Sequence, residues 1–105
     1  MTYEEINDMM AEMGLPYAYH HFAEGESPEP PFICYLLPGS NNFSADGKVY
    51  YKINEVHLEL YTDFKDLAVE QMVEAVLFEH DIFYNKSETW IESEKLFEVL
   101  YTFEM

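Results

Sequence analysis

Arginine is absent from this chain, and lysine occurs only five times, at positions 48, 52, 65, 86 and 95. Against 21 acidic residues these leave a formal net charge of −16. Five cations are too few to neutralise a phosphate backbone, so no stable nucleic-acid binding is expected. A surface this negative repels DNA, mimics it, or pairs with a basic partner. The same scarcity leaves little to stabilise a developing anion in a catalytic site. Cysteine is nearly absent too. Cys34 stands alone within an apolar run, which excludes an intramolecular disulfide or a cysteine metal cluster and suits a small core residue in a reducing compartment. No apolar run approaches the ~18 residues that span a bilayer. The first residues, MTYEEINDMM, are acidic and lack the basic region of a secretory signal. These absences lead us to expect a soluble protein made in a cytoplasm.

What is present is apolar and aromatic. Hydrophobic residues make up 49% of the chain and aromatics 17%, which argues against disorder despite the charge. A length of 105 residues fits one domain with one modest core. The richest stretch is Lys48 to Thr62, KVYYKINEVHLELYT, whose β-branched and aromatic residues suit a strand. Its alternation carries a fault: Val49, Tyr51 and Ile53 share one parity, whereas Val56, Leu58 and Leu60 share the other. A regular strand cannot do this and keep one buried face. Either a bulge or bend at Asn54-Glu55 absorbs a residue, or those two residues form a tight turn that pairs Ile53 with Val56, Tyr51 with Leu58 and Val49 with Leu60. Asn-Glu is a poor primed turn, which favours the bend. A bent strand of that length reaches on the order of 50 Å, so one end should project from a small domain.

Thr2 and Glu5 form a capping-box pattern, and Ile6, Met9, Met10 and Met13 recur at helical spacing before Gly14 and Pro16, predicting a helix over residues 3 to 13 with a core-facing methionine stripe. YAYHHF, residues 17 to 22, reads as a short strand on which His20 and His21 point to opposite faces and cannot easily share a metal. An exposed proline-rich connector follows. FICYLL, residues 32 to 37, reads as a strand buried on both faces, and PGSNNFSADGK as a long surface loop with an Asp46-Gly47 turn. A helix over about 65 to 80 is capped by Thr62 or Asp63. Its apolar face carries Leu67, Met72, Val73, Ala75, Val76 and Leu77, with Glu70, Glu74 and Glu79 on a solvated face that no basic residue accompanies. A strand over 82 to 86, a Trp90-bearing segment over 87 to 93 and a final strand over 95 to 105 complete the chain. The predicted class is α+β: a single mixed or antiparallel sheet of four to five strands with two helices mainly on one side, in the order α-β-β-β-α-β-β.

No serine sits in a G-x-S-x-G context, and carboxylate pairs in a chain with 21 acids discriminate nothing. The expectation is of no enzyme, no cofactor and no metal site, but of a protein whose business is contact through exposed sheet edges and a projecting strand.

The PPFICY strand after the acidic connector, ADGKVYYKI, VHLELYTD, the amphipathic helix, WIESEK and LYTFE follow one another in an order that resembles bacteriophage and prophage tail terminators, also called tail completion or tail-to-head joining proteins. The resemblance implies a structural virion protein at the head-tail junction, assembled in the host cytoplasm. It implies a homohexameric ring that caps the tail tube, with the major tail tube protein and a head-completion or connector protein as partners. Ring contacts would come from residues 39 to 53, with Asn41, Asn42, Phe43, Lys48, Tyr50 and Lys52, and from residues 87 to 95, with Glu88, Trp90 and Glu92. The alternatives are an acidic DNA mimic that inhibits a host DNA-binding enzyme, and another head-tail adaptor.

Overall fold

The computed structural model describes residues 2–40, 43–45, 47–51 and 53–105. At the N-terminus the capping box forms: the Glu5 amide donates to Thr2 Oγ1 at 3.2 Å, and the Thr2 amide donates to Glu5 Oε1 at 3.3 Å. These bonds satisfy donors that a helix start leaves open. The helix they begin, α1 (Tyr3–Glu12), ends where Gly14 takes a φ of +76°. Ile6, Met9, Met10 and Met13 are buried, as their spacing predicts.

Seven strands follow the helix: β1 (Tyr17–Tyr19), β2 (Phe32–Ser40), β3 (Phe43–Ala45), β4 (Lys48–Tyr51), β5 (Asn54–Thr62), then, after α2 (Leu67–Glu79), β6 (Tyr84–Ile91) and β7 (Leu96–Glu104). Five of them form one sheet in the order β1-β2-β5-β7-β6, with β1 parallel to β2 and every other pair antiparallel. The sheet is therefore mixed, and the chain has the predicted α+β class. Register aligns Tyr35, Leu58, Tyr101 and Lys86 in one row, and Ile33, Leu60, Val99 and Glu88 in the next. Partners across antiparallel strands share a face. Both helices cover that face: Asn7 of α1 accepts from the Tyr35 hydroxyl at 2.5 Å, and Glu74 of α2 accepts from the Tyr101 hydroxyl at 2.7 Å. The core lies between, formed by the α1 stripe, Val73, Leu77 and the inward residues of β2, β5 and β7. The opposite face carries Cys34, Glu59, Tyr61, Glu98 and Leu100 and is covered only in part, where Phe22 meets Phe32 edge-on and Phe32 stacks on Tyr61.

The stretch 48 to 62 divides. β5 holds its buried parity at Val56, Leu58, Leu60 and Thr62, and Asn54 and Glu55 lie inside β5, facing Ser40 and Gly39. No tight turn forms there: Leu58 pairs with Tyr35 and Tyr101 rather than Tyr51. The register shift expected at Asn54-Glu55 lies instead on the partner strand, between Leu36 and Gly39, and a second lies between Phe43 and Ser44 across from β4. The segment read as a long loop is also largely strand. Residues 38 to 40 extend β2, and 43 to 45 form β3, which pairs with β4 in a two-stranded sheet of its own.

Four further expectations are corrected. The N-cap of α2 is Asp66, whose carboxylate accepts from the Val69 amide at 3.2 Å, because Thr62 is still paired with Phe97 in the sheet. The face of α2 is turned relative to the prediction: Glu70 is buried, whereas Leu67 and Phe78 are 60% and 80% exposed. The strand expected to end at Lys86 runs to Ile91, so Trp90 stands on a strand. Finally, His20 and His21 do not point apart. His20 leaves the strand at a φ of +67°, which brings the two Nδ1 atoms to 2.9 Å.

Candidate assembly surface

β2 and β5 pair through Ser40 and Asn54, and beyond them β3 and β4 pair at Phe43 and Tyr51 in a two-stranded sheet of their own, the β3–β4 arm. At its root, Asn54 and Met105 exchange backbone hydrogen bonds of 2.8 Å in both directions, tying the arm to the end of β7. The molecule measures 49 by 29 by 23 Å, an elongation that suits a ribbon carried past a small sheet. Of the candidate contact residues, Phe43 lies in β3, and Lys48 and Tyr50 lie in β4. Lys48 is exposed and makes no ion pair with a described residue. Asn41, Asn42 and Lys52 fall outside the described residues.

The second candidate segment is the edge strand β6, which pairs with β7 alone and has six of its eight residues exposed. Trp90 packs edge-on against Phe97 with centroids 4.7 Å apart, and its Nε1 donates to Glu92 at 2.6 Å. Glu88 accepts from Lys65 at 2.6 Å, and Glu92 from Lys95. These three side chains are thus engaged within their own chain. The structure also separates them from the arm: Trp90 pairs with Phe97 and lies beside the Thr62 end of β5, whereas the arm leaves at the Asn54 end. The two candidate groups occupy opposite ends of the sheet and do not form one site.

Sequence reasoning missed the charged cluster under α2. Glu70, only 2% exposed, has Lys65 Nζ 2.7 Å from Oε2 and Lys86 Nζ 2.7 Å from Oε1. Lys86 also reaches Glu74 Oε2 at 2.7 Å and lies over the Tyr101 ring at 5.7 Å. Burial alone would raise the carboxyl of Glu70, but its two lysine partners outweigh burial and hold it below the ordinary 4.5. Glu74 is shifted the same way by Lys86 and Tyr101 against its own desolvation. Burial and the Glu74 carboxylate push the Tyr101 hydroxyl well up. On the other face, burial and Glu59 push the Cys34 thiol up to about 11, away from the thiolate that a nucleophile requires. Burial and Glu59 likewise raise the Glu98 carboxyl.

At the arm-root end a cleft of about 670 Å³ opens between the C-terminal end of α2 and the β6–β7 ladder, lined in part by Asp81, Ile82, Phe83, Phe103, Glu104 and Met105. Phe83 is 86% exposed, and Phe78, one turn back on α2, is 80% exposed. A second cleft, of about 300 Å³, lies on the other face between the His20–Ser27 segment and the β6–β7 turn. Among the described residues no group of three or more metal-ligating side chains gathers, and no helix is long and apolar enough to cross a membrane.

Comparison with protein-family models gives no match. Comparison with curated proteins gives none either. The functional reading rests on geometry and on the sequence resemblance.

Proposed function

We propose that this chain is a structural subunit that assembles with copies of itself into a ring, in the role of a phage tail terminator: it caps the tail tube and joins it to the head. The observation that carries this reading is the β3–β4 arm, a two-stranded ribbon that leaves the five-stranded sheet and pairs only with itself among the described residues. A ribbon with open edges contributes little to its own domain and offers backbone and side chains to a neighbour. A ring needs contacts of this unequal kind, in which a projection on one copy meets a different patch on the next. No enzymatic role is assigned. Cys34 and the His20–His21 pair line the same small cleft, where burial pushes the Cys34 thiol up to about 11.

The test is tube length. Purified chain added to polymerising tail tube protein of the same particle should stop growth and leave tubes of uniform length with a cap at one end. Tubes that grow equally long with and without the chain would falsify the terminator role.

A further inference from the structure

Strand β6 forms one margin of the five-stranded sheet. Among the described residues it pairs with β7 alone, and Asn85 to Trp90 are all exposed. A strand so placed turns alternate backbone amides and carbonyls toward open space, which makes it a template for a further strand. Apolar surface gathers on the same side. Phe64, Leu67, Met72, Phe78, Phe83 and Trp90 are exposed, and all lie on α2 or β6 or within three residues of them.

The side chains of β6 decide what can lie against it. Register with β7 puts Tyr84, Lys86, Glu88 and Trp90 on the face that α2 covers, and Asn85, Ser87 and Thr89 on the other. When two copies of β6 lie antiparallel about a two-fold axis at Ser87, Tyr84 faces Trp90 of the other copy and Lys86 faces its Glu88. Asn85 faces Thr89, and Ser87 meets its own counterpart. Aromatic pairs and opposite charges across antiparallel strands are both favourable. A slide of two residues sets Glu88 against Glu88 or Lys86 against Lys86, and a slide of one sets Lys86 against Ser87 or Thr89 and gains no opposite charge.

This pattern is complementary to itself, which singles out a second copy as the occupant. A basic partner would find little to pair with, because Glu70, Glu74 and Glu88 are already held by Lys65 and Lys86. In a chain of −16 the same neutralisation lowers the repulsion that a copy meets here. We propose that β6 pairs antiparallel with β6 of a second copy about a two-fold axis through Ser87, joining two five-stranded sheets into one. Such a contact uses the same patch on both copies and closes at two. It therefore differs from the unequal contact that a ring needs, goes beyond the function proposed above and does not rest on it.

Cysteine placed on the axis tests the register in the full chain. Ser87→Cys should give a covalent dimer with oxidised glutathione, which takes up the two electrons and two protons of the paired thiols, since residues facing across antiparallel strands lie within disulfide reach. Asn85→Cys should stay uncross-linked, because it faces Thr89 and stands roughly 13 Å from its own counterpart, four residues along the strand. Both positions are exposed, and the buried Cys34 is common to both variants. Sedimentation velocity over a range of concentrations reads the non-covalent contact. The native chain should dimerise, and Glu88→Lys, which sets like charges face to face with Lys86, should do so about tenfold more weakly with an unchanged circular dichroism spectrum. Equal cross-linking of the two cysteine variants, or none in either, would overturn the two-fold contact, as would a Glu88→Lys chain that dimerises like the native one or a native chain that is monomeric at every concentration. Native multimers larger than a dimer without cross-linking of Ser87→Cys would strike this contact and leave the ring standing.

Discussion

Glu70 shows how much one side chain's surroundings decide. A carboxylate taken out of water needs partners, and here Lys65 and Lys86 supply them on either oxygen. Removing a partner leaves a buried charge exposed to the full cost of desolvation. We expect Lys86→Met to destabilise the fold by about 2 kcal/mol near neutrality, below the usual range for broken buried pairs because the lysine is partly exposed and Lys65 remains. The pH dependence follows from the shifts. Glu70 and Glu74 titrate below 4.5 in the folded chain, so their contribution is fully present above that pH and is lost as pH falls through their folded values. Lys86 titrates above 10.5, so its contribution is present below that pH and is lost as pH rises through its folded value. Urea unfolding of the native and Lys86→Met chains should therefore give a constant difference from pH 5 to pH 10 that closes in stronger acid. A difference that is unchanged at pH 3 would refute the assignment. At the same scale, the sequence made Cys34 legible as a core residue, because its neighbours are apolar. The pairing of His20 with His21 was not legible, because it depends on one residue's positive φ.

Helix α2 shows the limit of reading a face from composition. Its apolar residues go nearly all the way round, so periodicity fixes a helix without fixing its rotation. Lys86, on the strand opposite, settles it by drawing Glu70 and Glu74 inward and leaving Leu67, Met72 and Phe78 outward. Leu77→Ala should cost about 3 kcal/mol, within the range for emptied core sites. Phe78→Ser should change stability by less than about 0.5 kcal/mol, as for an exposed position. Thermal or urea unfolding of the two variants checks the pair, and equal losses would mean that the helix is rotated otherwise. Helix α1 was legible in full, because Thr2, Glu5, the methionine spacing and Gly14 all agree. The strand β5 was legible from its buried parity. The register shifts beside it fell on partner residues, Leu36 to Gly39, that no inspection of β5 alone would reveal.

For the molecule as a whole, the arm separates stability from assembly. Among the described residues, the core is built from α1, β2, β5, α2 and β7. Replacing residues 43 to 51 with a short glycine-serine turn should leave the unfolding midpoint within a few degrees of the native value, while abolishing multimers larger than a dimer in sedimentation and tube capping. Loss of the fold together with the arm would assign the ribbon a structural role. The acidic excess bears on this scale too. Copies at −16 repel one another except where the contacting surface is charge-poor or positive.

The sequence by itself determined the class of the fold, because hydrophobic parity and helix caps act over a few residues and do not depend on distant partners. It also determined that the central stretch could not be one regular strand. Only the tertiary structure decided which side of α2 is buried and where the arm departs, and only it separated Trp90 from that arm. Each of those outcomes turns on a pairing between residues far apart in the chain, such as Lys86 with Glu70 or Asn54 with Met105, and such pairings exist only once the sheet has brought them together.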